Sequence, residues 1–255
     1  MSDSTKAGHT FLASLGKTRL RPGGKEATEW LMSHANLTVD SKVLEVACNR
    51  GTTSLELASR FGCHVYAIDM DKGALRAAQT NIHAAGLSDK IQLIEANATR
   101  LPFPDNTFDV VINEAMLTMY ADKAKTKLVR EYCRVLKHGG LLLTHDIMLT
   151  NETLSQTADD DLQEVVKSNV SPMRKQEWEA LFLKAGFVSV QTQHGAMSLM
   201  SPRGLIRDEG FLRAVRIVCN GLKNRENRAR FLGMFRFFRA QRQKLNYITC
   251  CSQKK

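Results

Sequence analysis

The chain has 255 residues, 43% of them hydrophobic and 24% charged, which suits a soluble globular protein with at least one full core. Those values exclude a collagen-like, coiled-coil or wholly disordered chain, and no run approaches the roughly 18 consecutive apolar residues of a membrane-spanning helix. The net charge of +10 is uneven: residues 203–255 carry 14 basic and 3 acidic side chains, so the remainder is close to neutral. Such a basic stretch can meet nucleic acid, an acidic membrane surface or an anionic small molecule. The six cysteines are scattered without a Cys-x-x-Cys pair, which argues against a disulfide framework or a metal site. The polar start, Met1 to Lys6, has no apolar signal region, and a reducing cytoplasm is the expected location.

Elements alternate along the chain. An apolar run at 42–48 predicts a first strand, and Thr52 or Thr53 caps a helix that runs to Arg60. Residues 64–69 form the second strand, followed by a helix over about 72–85 that Gly86 stops. Strands three and four are expected at 91–97 and 108–113, and a helix over about 121–136 ends at His138-Gly139-Gly140. Residues 141–145 make the fifth strand, and the polar stretch 150–171 is expected to hold one helix. A helix over 175–185 precedes strand six at 187–191, and a final short strand lies at 246–251. Two helices, 205–222 and 224–245, fill the gap before it, with Phe231, Phe235 and Phe238 on one face.

This order predicts a doubly wound α/β fold: a seven-stranded, mostly parallel sheet with a helical cap inserted between strands six and seven. The expected organisation is an N-terminal helical segment over 1–41 covering the site and an α/β core over 42–194. A basic cap over 195–245 and a last core strand in 246–255 complete it.

In such a sheet, ligands bind beyond the carboxyl ends of the strands. Strand one runs out in Glu45-Val-Ala47-Cys48-Asn49-Arg50-Gly51, a tight turn into a helix, and strand two ends in Asp69, placed to take ribose hydroxyls. Strand three ends in Asn97-Ala98, able to meet an adenine edge. With Leu101-Pro-Phe103, Phe108-Asp109-Val-Val-Ile112 and Leu136-Lys137-His138-Gly139-Gly140, the chain resembles the class I S-adenosylmethionine-dependent methyltransferases, particularly the small-molecule type of ubiquinone and menaquinone biosynthesis. The resemblance spans about residues 42–148. It implies S-adenosylmethionine as cofactor and S-adenosylhomocysteine as product. It places cofactor contacts at Glu45, Ala47, Cys48, Asn49, Gly51, Asp69, Met70, Asn97, Ala98 and Asn113. Where the family has Gly-x-Gly-x-Gly, this chain keeps only Gly51, with Ala47 and Asn49 at the other two positions.

Methyl transfer chiefly demands alignment of donor and acceptor, and sometimes removal of a proton. Asn113-Glu114 and His145-Asp146 end strands four and five, the latter pointing toward an acceptor; Glu114 and His145 are the catalytic candidates, with His145 the preferred general base, its alternative reading being a hydrogen-bonded structural histidine. Arg21 and Tyr120 are candidate substrate contacts. Asp69 alternatively reads as a helix N-cap, and the Arg230–Arg242 stretch as an amphipathic helix burying its phenylalanines or as an RNA surface. Asn113-Glu114-Ala115-Met116 lacks the signature of exocyclic-amine methylases. The favoured reading is methylation of a small-molecule acceptor. An RNA methyltransferase using the basic C-terminal region, and a non-catalytic binding protein with a degraded cofactor turn, are the alternatives.

Overall fold

The computed structural model describes residues 8–150 and 170–255; most of the stretch expected to carry a helix at 150–171 lies outside them. Strands β1 (Lys42–Val46), β2 (His64–Asp69), β3 (Ile91–Glu95), β4 (Phe108–Glu114), β5 (Leu136–Leu149), β7 (Phe187–Ala196) and β8 (Leu245–Lys254) form one sheet in the order β3-β2-β1-β4-β5-β8-β7. The first five pair in parallel, and β8 runs antiparallel between β5 and β7. A two-residue strand, β6 (Met173–Arg174), adds to β5 at Met148 and Leu149, an eighth strand that its length hides in the sequence.

Both faces of the sheet are covered, which is why its central strands read as continuous apolar runs rather than alternating ones. Helices α5 (Asp122–Val135) and α6 (Lys175–Lys184) bury Leu128, Tyr132, Trp178 and Phe182 in a cluster with Val111, Leu142 and Cys250. On the opposite face, α2 (Gly24–His34), α3 (Thr52–Phe61) and α4 (Lys72–Ala84) bury Leu31, Leu57, Ala78 and Ile82 with Val43, Ile112 and Cys251. Cys250 and Cys251 therefore lie in different layers, as strand alternation requires, and both are free thiols. A third cluster joins α1 (Gly8–Ser14) to three helices between β7 and β8, namely α7 (Pro202–Glu209), α8 (Phe211–Leu222) and α9 (Arg225–Ala240). Phe231 is buried there, with Phe235 and Phe238 packed against it.

Several boundaries differ from expectation for local reasons. The helix expected over 205–222 breaks at Gly210, whose φ of 78° and ψ of 158° lie outside the helical region. Strand β1 stops at Val46 because Ala47 turns left-handed at φ 58°. Strand β5 begins at Leu136 instead of 141, passing an irregularity in its pairing with β4. At Gly140 in that irregularity, a Cβ would sit 2.9 Å from the Lys137 carbonyl and 3.1 Å from that of Asp109.

Candidate functional site

Strand order reverses between β1 and β4, and a cavity of about 570 Å³ opens there at the carboxyl ends of β1, β2 and β4. Glu45 and residues 46–50 form one wall, Asp69 and Asp71 a second, and Glu114, Ala115, Met116, Met119 and Tyr120 a third. Arg21, Leu20, Thr18, Ala13 and Thr10 close it from the N-terminal side. That segment is pinned by the Glu209 carboxylate, which accepts from the Thr18 and Arg19 amides at 2.8 and 2.9 Å.

The turn after β1 keeps a glycine-type backbone without the glycines. Ala47, Asn49 and Gly51 have φ of 58°, 50° and 73°, the left-handed region that costs an L residue about 1–2 kcal/mol. Asn bears this better than most, and Ala is the smallest residue that bears it with a Cβ. The Asn49 amide donates to Asp69 Oδ2 at 2.9 Å, tying the turn to β2. Asp69 Oδ1 accepts from the Asp71 amide at 2.9 Å, so each carboxylate oxygen keeps a lone pair in the cavity wall. The N-cap of α4 is Asp71, which accepts from the Gly73 and Ala74 amides; Asp69 does not cap the helix.

Glu114 and His145 meet, but in a closed network. Glu114 Oε1 takes Arg21 Nη1 at 3.1 Å and the Thr53 hydroxyl at 3.0 Å; its Oε2 takes the Thr28 hydroxyl at 2.7 Å and His145 Nδ1 at 3.0 Å. Three hydrogen bonds and the Arg21 ion pair thus engage both carboxylate oxygens. Burial alone would raise the Glu114 carboxyl, but the Arg21 guanidinium and the hydrogen bonds from His145 and Thr28 lower it to about 2. His145 is fully buried, and its Nε2 accepts from the Gly23 amide at 2.9 Å. The ring proton therefore sits on Nδ1, and no lone pair faces the cavity. Both side chains hold the Arg21–Gly24 segment across β4 and β5, Glu114 through Arg21 and His145 through the Gly23 amide, which is the structural reading of His145. Arg21 lines the cavity, but its guanidinium is spent on Glu114, Thr28 and Thr53.

Other expected contacts are dispersed. Met70 is 62% exposed and does not line the cavity. Asn97 lies outside it with its amide oxygen taken by the Thr99 amide and hydroxyl, and Ala98 is buried in the core. Asn113 is buried beneath the floor, donating to Thr144 at 3.0 Å, and Gly51 packs toward Ala78. Glu45, Ala47, Cys48, Asn49, Asp69 and Tyr120 are brought together. The Cys48 thiol is pushed up by burial and by the Glu45 and Asp69 carboxylates, so it is no nucleophile. Thr28 and Met119 escaped the sequence reading, and Thr53, read as a possible helix cap, instead gives its hydroxyl to Glu114 while Gly51 is the N-cap of α3.

A second cavity of about 100 Å³ adjoins the first, sharing Leu20, Ala115 and Met119 with it. Its walls are mostly apolar, including Leu12, Leu199, Met234 and Phe238. Among the described residues, Asp146 is its one ionisable side chain. Burial raises the Asp146 carboxyl against the opposing bonds from Thr118 and Ile147, whose amides donate to it at 3.0 and 2.8 Å.

Residues 43–140 match the family model of a methyltransferase domain. The chain is 50% identical over 249 residues to a Haemophilus influenzae protein described as uncharacterized, covering 98% of each. It is 30% identical over 174 residues to methyltransferase GfsG of Streptomyces halstedii, covering 66% of this chain and 60% of that one. Its fold superposes on Haemonchus contortus phosphoethanolamine N-methyltransferase 2, solved with phosphomonomethylethanolamine and S-adenosylhomocysteine. There the TM-score is 0.75 and the identity 18%, covering 100% of this chain and 58% of that one. The chain thus spans at most about three fifths of these two named methyltransferases. Over residues 43–140 the chain thus matches a methyltransferase domain, on a fold shared with solved methyltransferases and with a cavity at the switch point of the sheet.

Proposed function

We propose that the protein transfers a methyl group to a small molecule whose reacting end is seated in the apolar cavity. The supporting observation is the junction of two cavities at Leu20, Ala115 and Met119, one large and polar at the switch point, one small and apolar beside it. When bound, S-adenosylmethionine supplies a methyl group on a positively charged sulfur, open to displacement by an acceptor lone pair. The residues present fit it: Asp69 has acceptor capacity for a ribose diol, and the left-handed turn at Ala47 and Asn49 draws the backbone away from the cavity. Leu20, Ala115 and Met119 then border the point where donor and acceptor meet, and their apolar surfaces exclude water from it.

Asp146 takes the role that His145 was expected to fill. It is the ionisable group of the acceptor cavity, held by two backbone amides with its remaining lone pairs available to an acceptor hydroxyl or ammonium. Arg21, Glu114 and His145 act as positioning residues that keep the N-terminal segment closed over the site. The relatives include methyltransferases named for phosphoethanolamine and for 27-O-demethylrifamycin SV, which supports a small-molecule acceptor. A relative named for methylation of U6 snRNA matches over fewer residues, 132 against 153 and 160 for these two.

The test is calorimetric titration with S-adenosylmethionine and S-adenosylhomocysteine, on the wild type and on Asp69→Ala. Loss of a charged hydrogen-bond acceptor predicts affinity weakened by roughly 10- to 100-fold. A wild type that binds neither compound, or a variant that binds both equally well, refutes the placement.

A further inference from the structure

Helix α8 carries an apolar surface that the fold leaves uncovered. Its inner residues, Ala214, Ile217 and Gly221, are buried against α1 and α9. Phe211 is 65% exposed, Leu212 83%, Val215 46% and Leu222 40%. At the helical period these four fall on one outward arc together with exposed Cys219. Ile206, at 47%, extends the patch onto α7. Arg216 and Lys223 border the arc, with Arg225 and Arg228 just beyond, all exposed. Contiguous exposed apolar surface on a soluble fold marks an interaction site, and a basic border narrows the choice of partner.

We infer that this face of α7 and α8 docks on the surface of an anionic lipid bilayer. Phe211, Leu212, Val215 and Leu222 would enter the headgroup boundary while Arg216, Lys223, Arg225 and Arg228 meet the lipid phosphates. Charge complementarity argues for it, because residues 211–230, which carry the patch and its border, hold six basic side chains and one acidic, and basic residues near an anionic leaflet attract it additively. A second copy of the chain is disfavoured as occupant, since a two-fold contact would bring two such basic segments together. Nucleic acid would engage the arginines yet leave the apolar arc in water. The buried sides of α1, α8 and α9 share one cluster with Leu12 and Met234, which also line the apolar cavity. Docking would thus set that cavity close to the bilayer, an inference that stands whether or not the cavity takes the acceptor.

The test is flotation of the full chain with vesicles of phosphatidylcholine alone and of phosphatidylcholine mixed with phosphatidylglycerol. The expected result is co-flotation with the mixed vesicles and at least about tenfold weaker partitioning to the neutral ones. The double variant Phe211→Ser/Leu212→Ser leaves every charge in place and removes two exposed side chains that the core does not use. Insertion predicts that its partitioning falls about tenfold or more, with thermal unfolding unchanged. Partitioning unaffected by the substitutions would mean attraction by charge alone and overturn the docking face. So would absence of binding to mixed vesicles by a chain that still binds S-adenosylhomocysteine. A wild-type dimer in sedimentation that the double variant dissolves would assign the face to a second copy and overturn it equally.

Discussion

Glu45 is the most informative single residue for testing the electrostatics of the site. It sits near the end of β1, only 6% exposed, and its carboxylate accepts from the Ser54 hydroxyl. Burial raises its carboxyl to about 7 from an ordinary 4.5, against the lowering effects of Ser54 and Arg21. A carboxyl raised on folding destabilises the native state as pH rises. Between pH 4.5 and 7 the unfolded chain has released the proton while the native chain still holds it. Stability therefore falls by up to about 1.4 kcal/mol per pH unit over that window, about 3 kcal/mol in all, and the loss is complete above pH 7.

Glu45→Gln removes the titration and keeps an amide oxygen for Ser54. The substitution also shifts stability by a pH-independent amount, so the measurement is the difference between variant and wild type across pH 4.5 to 8, from urea or thermal unfolding. The variant should gain about 3 kcal/mol on the wild type between the two ends, or roughly 6–12 °C in midpoint for a chain of this size. Glu114 does not confound this window. Its lowered carboxyl contributes stability that is fully present above about pH 4.5 and is lost only as pH falls toward 2. A difference that stays flat between pH 4.5 and 8 would falsify the placement of Glu45 as a desolvated carboxyl beside the cavity.

Three further outcomes follow from the geometry. Arg21→Met strands the Glu114 carboxylate among its remaining donors, so urea unfolding near neutral pH should show a loss of about 3–5 kcal/mol. Its acid-side decline should also begin at higher pH, because the guanidinium no longer holds the carboxyl down. Gly140→Ala drives a Cβ against two carbonyl oxygens and should cost about 1–3 kcal/mol, whereas Gly139→Ala meets no neighbour and should cost only its left-handed strain of about 1 kcal/mol. Ala47→Gly should leave stability within about 1 kcal/mol, relief of strain offsetting added freedom in the unfolded chain. Ala47→Val should cost more than that and weaken S-adenosylhomocysteine binding in calorimetry, since a β-branched side chain is ill-suited to φ 58° and its bulk enters the cavity wall.

What the sequence disclosed, and what it withheld, divides along one physical line. The parallel core was legible because strands covered on both faces must be apolar through their middles, and residues 43–44, 65–68 and 110–112 are. The turn at 47–51 was legible too, since its neighbours Glu45 and Asp69 are fixed by strand ends and need no knowledge of distant contacts. Side-chain roles set by long-range pairing were not. Nothing near position 145 announces that the Gly23 amide, 122 residues away, occupies its Nε2, so the histidine there read both as a general base and as a structural partner. Asp146 read only as the neighbour of His145 at the acceptor end for the same reason. Alternation along β5 sends consecutive side chains to opposite sides, and only the assembled helices show which side holds the apolar cavity. The left-handed backbone at Ala47 and Asn49 is the instructive middle case. Loss of two glycines looked like degradation of the turn, yet the fold imposes the same dihedrals on their replacements, because the Asn49 amide must still reach Asp69. The geometry of that turn is held by the hydrogen bond across β1 and β2, so residue identity there is a weaker guide to binding than the strand order that brings the two ends together.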